Sequence, residues 1–207
     1  MSDPDEKLTA YKQKRDFRTT PEPSESEVAF DWADERPIFV IQKHDASNLH
    51  YDVRIEVDGV LKSWAVPKGP STDPSEKRLA IPTEDHPLPY ADFEGVIPED
   101  AYGGGTVLVW DRGSYRNLKE AEEGGEPKSV SQQLDEGHAT IWLEGEKLSG
   151  GYALIRTGKG DDSRWLLIKM KDDEADARRN PTSTEPTSVK TGRTLDEIRE
   201  EEEKGNG

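Results

Sequence analysis

The chain has 207 residues, of which 31% are hydrophobic and 35% charged, and its net charge is −16. One core can be filled at this size, so we predict a single domain with polar tails. Cysteine is absent, which excludes disulfides and thiolate chemistry and leaves histidine and carboxylates to hold any metal. The sequence shows no apolar run of ~18 residues and no signal peptide, so we expect a cytoplasmic protein.

The negative charge weighs against a nucleic-acid partner, because affinity for phosphates comes largely from Lys and Arg. The acidity is spread along the chain, with net charges of −4, −8 and −4 for residues 1–37, 38–172 and 173–207. Such a distribution is typical of a solubility or high-salt adaptation. Binding of a nucleic-acid end would therefore depend on a local cluster of basic residues.

The same three segments define the expected organisation. Residues 1–37 are polar and rich in proline and glutamate, which predicts an arm wrapped on the domain. Residues 38–172 hold many short strand patterns separated by Gly, Pro and Asp turns. They predict an all-β fold, a closed or partly open β-barrel or a closed sandwich with few helices, which leaves a mouth or crevice for a ligand. Residues 173–207 are polar and predict a flexible tail with a brief helix at 195–203, which we expect to be either disordered or weakly docked.

The predicted elements follow one another at short intervals. A tight turn at Asp58-Gly59 joins two strands into a hairpin, and a short helix is expected at 129–134. His138 is interpreted as structural. The run Gly103–Gly105 lacks a following Lys-Ser/Thr and predicts a turn between strands. The predicted strands are 38–43, 49–57, 60–66, 78–83, 91–97, 106–111, 114–117, 139–143, 151–157 and 164–169.

One face of the hairpin indicates a site. Because side chains two apart in a strand lie on one face, His50, Asp52 and Arg54 project together. The alternate residues are apolar or aromatic and predict core. Desolvating an imidazole, a carboxylate and a guanidinium without partners would be costly, so a functional site explains this face better than packing does.

A metal is the simplest ligand for this face. His44 ends the preceding predicted strand, where strand pairing would bring it against His50. Two imidazoles and the Asp52 carboxylate form a mixed ligand set suited to Mn, Fe or Zn, and Arg54 is placed to meet a bound anion. The alternative is a set of hydrogen-bonded surface histidines with Asp52 paired to Arg54, since His-x5-His-x-Asp is no general signature.

Two stretches of the sequence are distinctive. They read QKHDASNLHYDVRIEVDGVLKSWAVPKGPS, at 42–71, and RLAIPTEDHPLPYADFEGVIPEDAYGGGTVLVWDRGSY, at 78–115. Both closely resemble the 3'-phosphoesterase module found at the amino end of bacterial DNA ligase D and as free-standing proteins in archaea and bacteria. The resemblance covers roughly residues 11–172 and implies a β-barrel with a crescent-shaped groove.

The resemblance implies a metal-dependent hydrolase acting on phosphate esters at nucleic-acid 3' ends. A terminal ribonucleotide would be trimmed to a 3'-phosphate by phosphodiester cleavage, and then to a 3'-hydroxyl by phosphomonoester cleavage, for repair by non-homologous end joining. The implied cofactor is Mn²⁺, with Zn²⁺ or Co²⁺ as other candidates. The implied partners are primer-template 3' ends and a DNA ligase, polymerase or Ku-like protein, and we expect a monomer.

The resemblance alone implies further site residues. The segment KRDFRTTPEP is similar to the family's amino-terminal segment, which places Arg15, Asp16 and Glu22 at the active site. His86 matches a phosphate-contacting histidine, although a lone histidine in a proline-rich loop seldom indicates catalysis, and Tyr90 matches a tyrosine four residues on. The remaining implied polar contacts are Gln42, Lys68 and Arg78. The last two are candidates for the local basic cluster.

The mechanism and the substrate leave alternatives open at this point. No residue is typical of a covalent nucleophile, so we expect direct attack by water. Protonated His86 would either bind the phosphate or give a proton to the leaving group. Two other functions remain: a phosphoesterase acting on RNA ends or cyclic phosphates, and a non-catalytic module that binds DNA ends.

Overall fold

The structure is a computed structural model that describes residues 3–24, 30–120, 126–158, 160 and 163–205. Within these residues short strands alternate with tight turns. The strands are β1 (Ile38–Asp45), β2 (Leu49–Val57), β3 (Val60–Val66), β4 (Lys77–His86), β5 (Gly95–Ile97), β6 (Gly105–Asn117), β7 (His138–Gly145), β8 (Ser149–Thr157) and β9 (Arg164–Lys169). The helices are α1 (Pro4–Lys7), α2 (Thr9–Gln13), α3 (Val130–Glu136), α4 (Pro181–Thr184), α5 (Leu195–Gly205) and a 3₁₀ helix, Leu88–Asp92.

Eight antiparallel strands close into a barrel in the order β1–β2–β3–β4–β9–β8–β7–β6, because β6 pairs with β1 as well as with β7. Strand β5 lies outside this ring and pairs with β6. Closure removes the unpaired edges that an open sheet would expose. The all-β barrel predicted from the sequence is confirmed, and β5 is a ninth strand outside the closed ring.

The predicted hairpin is formed by β2 and β3. Asp58 and Gly59 connect the strands with φ angles of 50° and 81°, which is the left-handed backbone of a two-residue type I′ turn. Val57 pairs with Val60 across the turn. This connection fixes the register of β2, and therefore decides which of its side chains face outward.

Alternate residues of the eight strands fill the barrel with apolar side chains. Phe39, Ile41, Ile55, Trp110 and Tyr152 are each at most 1% exposed. Burial of a large apolar side chain stabilises the fold by about 1.5–3 kcal/mol. The interior is therefore a packed core, and the outward-facing residues are available for chemistry.

A second apolar layer covers the outer face of β1 and β6. It contains Val40 and Val109 from these strands, Tyr90 from the 3₁₀ helix and Tyr11 from α2, all at most 2% exposed. The hydroxyl of Tyr11 donates to the carbonyl of Pro23 at 2.6 Å, which folds the segment back on itself. The amino-terminal arm thus packs on the barrel, although its residues 25–29 lie outside the described part.

The carboxyl-terminal segment differs from the flexible tail predicted for 173–207. Ile198 of α5 is only 1% exposed, and α5 contacts β5 and β6. Ion pairs join Lys190 to Asp92 and Arg199 to Asp45, each through an N–O distance of 2.9 Å or less. The polar composition concealed this docking, because its charges pair with acids far away in the sequence.

Three local elements also differ from their predicted bounds. The strands predicted at 106–111 and 114–117 form one strand, β6, whose pairing with β1 shifts at a β-bulge opposite Ile41 and Gln42. The strand predicted at 91–97 is shortened to β5 because the 3₁₀ helix occupies the preceding residues. The helix predicted at 129–134 is α3, which begins with a capping box formed by Ser129 and Gln132.

Within the described residues, no helix combines the length and the apolar character that crossing a membrane requires.

Candidate active site

The predicted metal ligands meet on the outer face of the barrel. Strands β1 and β2 pair so that His44 lies directly opposite His50, as the sequence predicted. Nδ1 of His44 and Nε2 of His50 lie 3.4 and 3.5 Å from the two carboxylate oxygens of Asp52. One ligand atom from each residue lies within 4.8 Å of the other two. This spacing allows the triad of His44, His50 and Asp52 to bind one metal ion.

The two imidazoles are arranged as metal ligands usually are. In the neutral form of the His50 ring, Nδ1–H donates to the backbone carbonyl of Asn48 at 2.9 Å, which makes Nε2 the nitrogen that can bind a metal. Nε2 of His44 is buried and has no hydrogen-bond partner in the part of the chain that the structure describes. Buried polar atoms normally have partners, so the unpartnered Nε2 leaves the His44 ring able to bind a ligand that is not part of the protein. The triad therefore fits a divalent metal with nitrogen and oxygen ligands.

The carboxyl group of Asp52 is buried but charged. Burial alone would raise its pKa, yet Arg54, together with His44 and His50, holds the pKa well below the usual value. Arg54 contributes most to this lowering, through an NH2 group 3.3 Å from Oδ2 of Asp52. A permanently ionised carboxylate is the form that a metal requires.

Gln42 fixes the guanidinium of Arg54. The Arg54 Nε–H donates to Oε1 of Gln42 at 2.7 Å. The amide of Gln42 in turn donates to the backbone carbonyls of Tyr90 and Phe93 at 2.8 and 2.9 Å. All four polar groups are buried, so this chain of hydrogen bonds holds Arg54 beside the triad in one orientation. Gln42 thus positions the arginine, a role that the sequence alone did not specify.

His86 lies between two arginines at the end of β4. Its Nδ1 is 3.0 Å from NH1 of Arg54, and its Nε2 is 3.4 Å from NH2 of Arg15. Burial lowers the pKa of His86 well below its ordinary value, and the two guanidiniums lower it further. The imidazole is therefore neutral in this structure, in contrast to the protonated form expected from the sequence. A bound anion would oppose this effect, because it would favour the protonated ring.

The arm brings Arg15 and Glu22 into the site. Nε of Arg15 donates to Oε1 of Glu22 at 2.8 Å, and the hydroxyl of Tyr90 donates to the same oxygen at 2.8 Å. The second oxygen of Glu22 accepts from the hydroxyl of Thr20. Burial and the Glu22 carboxylate raise the pKa of Tyr90 well above its usual value, so its hydroxyl stays a donor. Glu22 is thus fully satisfied and positions Arg15.

Glu84 belongs to the same network and was not predicted. Its carboxylate accepts from NH1 of Arg15 at 3.0 Å and from Nζ of Lys14 at 3.2 Å. Its backbone carbonyl lies 2.8 Å from Nδ1 of His86. The only sequence signal was its position two residues before His86, because the residues it contacts in the arm are about 70 positions away.

Three predicted residues are placed less centrally. Asp16 is partly exposed and pairs with Arg18 through both carboxylate oxygens. Lys68 is exposed in the loop after β3. Arg78 is paired in strand register with Leu167 of β9, whose side chain belongs to the barrel core, and its NH2 is 3.7 Å from Glu76. None of the hydrogen bonds or ion pairs found among the described residues joins these three to the triad, so their roles stay predictions.

The assembled groups can bind an anion and a metal side by side. The triad supplies ligands for a cation, and the guanidiniums of Arg54 and Arg15 supply donors suited to phosphate oxygens. His50, whose side chain is 22% exposed, is the most open member of the triad. A cavity whose lining includes Arg15 and Glu22 of the arm and Tyr102 of the loop between β5 and β6 lies beside these groups. Fold and site together define a β-barrel protein with a candidate metal-binding triad beside two arginines.

Comparisons with known proteins agree with this class. The family model described as the DNA Ligase D 3'-phosphoesterase domain matches residues 42–156, which is more than half of the chain and includes the triad. The chain belongs to this family, as the sequence resemblance predicted.

Curated relatives extend the similarity over most of the chain. The multifunctional non-homologous end joining protein LigD of Pseudomonas aeruginosa is 51% identical over 191 residues, which is 91% of this chain and 22% of the relative. The LigD proteins of Mycolicibacterium smegmatis and Mycobacterium tuberculosis are each 45% identical, over 81% and 80% of this chain and 21% and 20% of their own length. The chain thus spans about a fifth of the relatives that it matches.

Proposed function

We propose that this protein is a metal-dependent phosphoesterase that processes the 3' ends of DNA during non-homologous end joining. The observation that carries the proposal is the assembly of His44, His50 and Asp52 beside Arg54 and His86 on one face, since these residues lie within the segment matching the family. The relatives bear names that refer to end joining. The proposed protein partner in this role is a DNA ligase, a polymerase or a Ku-like protein.

The substrate in this proposal is a primer strand ending in a ribonucleotide. Water attacks the terminal phosphorus, a new P–O bond forms, and the bond to the 5' oxygen of the last nucleoside breaks. The leaving oxygen takes a proton, and a 3'-phosphate remains. A second attack by water breaks the bond to the 3' oxygen, which releases inorganic phosphate and leaves a 3'-hydroxyl ready for ligation.

Each residue has a defined part in this hydrolysis. Arg54, held by Gln42, donates to the phosphoryl oxygens, and Arg15, held by Glu22 and Glu84, donates from the other side of His86. Such electrostatic stabilisation accounts for most of the catalysis expected in phosphoryl transfer.

His86 and Tyr90 complete the site. An imidazole that is neutral in the free protein and becomes protonated when the negatively charged phosphate binds can hand that proton to the leaving oxygen. Tyr90 keeps its hydroxyl proton and donates it to Glu22, so we propose that it acts by holding Glu22, and through it Arg15, in place. Asp16, Lys68 and Arg78 are proposed to contact the strand more peripherally.

The proposed cofactor is Mn²⁺, bound by His44 and His50 through imidazole nitrogens and by Asp52 through its carboxylate. When bound, the ion would supply Lewis-acid stabilisation of the charge on the phosphate oxygens. Zn²⁺ and Co²⁺ fit the same donors.

The test is an end-processing assay. The full chain is incubated with Mn²⁺ and three substrates: a labelled primer-template with one 3'-terminal ribonucleotide, an all-RNA strand and a cyclic nucleotide. We expect conversion of the first to a 3'-phosphate and then to a 3'-hydroxyl, with no reaction after chelation. Preference for RNA or the cyclic nucleotide would move the function to another phosphoester, and binding of the primer without cleavage by the Mn²⁺-loaded protein would make it a DNA-end-binding module.

A further inference from the structure

The loop at residues 98–104, between β5 and β6, lies beside the triad. A Cβ added at Gly103, whose φ is +74°, would lie 3.9 Å from Cε1 of His44. The next two glycines pack still more closely, since a Cβ at Gly104 would lie 2.6 Å from the carbonyl oxygen of Pro98, and one at Gly105 2.2 Å from that of Asp45. These glycines are therefore explained by close packing, and the packing fixes the loop relative to the metal ligands.

This loop presents Tyr102 at the rim of the site. Tyr102 is 48% exposed, the largest fraction among the exposed large hydrophobic residues in the described part of the chain. Its hydroxyl accepts from Nζ of Lys14 at 3.2 Å, and the guanidinium carbon of Arg15 lies 5.4 Å from its ring centre. Much of the ring remains open to solvent. An exposed ring contributes little to the core. Because this ring is nevertheless held in place, we expect it to contact a ligand.

A cavity borders this ring and the arm. It is lined by Lys14, Arg15, Asp16, Thr19, Thr20, Glu22, Asp100, Ala101 and Tyr102. Arg15 belongs to this lining, and its NH2 also reaches Nε2 of His86. The space beside Tyr102 is therefore one side chain away from the proposed phosphate position. It has an aromatic wall and polar groups at its edge, as a nucleobase would require.

We propose that Tyr102 is a stacking platform for the base of the 3'-terminal nucleotide. The proposal rests on the proposed function, because it assigns a base-binding subsite to that same site. It also accounts for the acidity of the protein. Stacking of a base on an aromatic ring supplies affinity without any basic groove, so a chain of net charge −16 can hold a strand end with few cations.

The experiment separates binding from cleavage. The primer-template carries 2-aminopurine, a base whose fluorescence is quenched by stacking, at its 3'-terminal ribonucleotide. Quenching and affinity are measured with the full chain after chelation, when the end stays intact, and cleavage is measured separately with Mn²⁺. Tyr102→Ala, Tyr102→Phe and wild type are compared for quenching, affinity and cleavage. The same primer with an abasic terminal residue serves as the control substrate. Trp142→Ala, which removes an aromatic side chain on β7 that lies near Arg116, serves as the control variant.

We expect wild type and Tyr102→Phe to quench the base and to bind the end equally well. Tyr102→Ala should lose the quenching and bind the base-bearing end about 5- to 150-fold more weakly, as loss of one stacked base predicts. On the abasic end it should match wild type, and Trp142→Ala should match wild type on both. If the ring serves only to hold Lys14, Tyr102→Ala should instead bind more weakly than wild type by the same factor on the base-bearing end and on the abasic end.

Each result decides between the two proposals. Cleavage by the wild type would leave the phosphoesterase intact, and the stacking proposal would then be overturned if Tyr102→Ala bound the base-bearing end as tightly as wild type, or bound both ends more weakly than wild type by the same factor. Quenching that depends on Tyr102 without any cleavage would overturn the phosphoesterase and leave stacking intact. A wild type that neither quenches the base nor cleaves the end would refute both.

Discussion

Asp52 offers the sharpest test of the candidate metal site. The change Asp52→Asn keeps the shape of the side chain but removes the charge that both imidazoles and Arg54 surround. It should lower the stability of the metal-free protein, because breaking a buried ion pair costs about 3–5 kcal/mol. The informative quantity is therefore the change in Tm on adding Mn²⁺, measured separately for each variant.

The expected size follows from linkage. A ligand present at about 100 times its Kd stabilises the folded state by about 2.7 kcal/mol. For a protein of this size, 1 kcal/mol corresponds to about 2–4 °C, so wild-type Tm should rise by about 5–11 °C at saturating Mn²⁺. The Tm of Asp52→Asn should not respond to the same concentration, because the variant lacks the charged ligand.

Scanning calorimetry with and without Mn²⁺ measures both Tm values. Glu136→Gln is the matched control. Glu136 lies on α3 and forms an exposed ion pair with Lys128, so the change removes one carboxylate charge far from the triad in the sequence. It should retain the full wild-type response to Mn²⁺. If Asp52→Asn still gains as much as the wild type, the ion binds elsewhere and the triad is not the metal site.

Three further predictions concern the pair of Arg54 and His86, the amino-terminal arm and the carboxyl-terminal helix. Arg54→Ala and His86→Ala should each lower kcat about 100-fold or more while the Tm response to Mn²⁺ persists; a wild-type rate in either would remove that residue from the site. Arg15→Ala and Glu22→Gln should slow release of phosphate from a 3'-phosphate end at least as much as the first cut, as following both products on a gel would show. Ile198→Ala should cost about 2–5 kcal/mol of unfolding free energy because its side chain is 1% exposed; chemical denaturation that gave no loss would mean that α5 is not docked.

The part of the site on the hairpin could be predicted because strand periodicity is local. A period of two places His50, Asp52 and Arg54 on one face, and a tight turn at Asp58-Gly59 fixes their register. Pairing of β1 with β2 then sets His44 opposite His50. Only residues close together in the sequence determine this geometry, and the structure confirms it.

The rest of the site depends on contacts between distant parts of the chain. Glu84 reaches Arg15 across 69 positions, and Arg15 reaches His86 across 71. Neither contact leaves a local pattern, so Glu84 was missed and Arg15 was found only by resemblance. The docking of α5 was left open against disorder for the same reason, since a charged helix has the composition of a solvated tail until its partners are known.

The alternation along β2 ties the geometry of the candidate site to the integrity of the fold. Tyr51, Val53, Ile55 and Val57 of this strand fill the barrel, and the residues between them include His50 and Asp52 of the candidate metal triad. Sliding the strand by a single position would expose Tyr51, Val53 and Ile55 and push the charges into the core. Pairing of β2 in a wrong register therefore loses stability both by exposing core side chains and by burying charges. A correctly folded β2 consequently already places His50, Asp52 and Arg54 side by side.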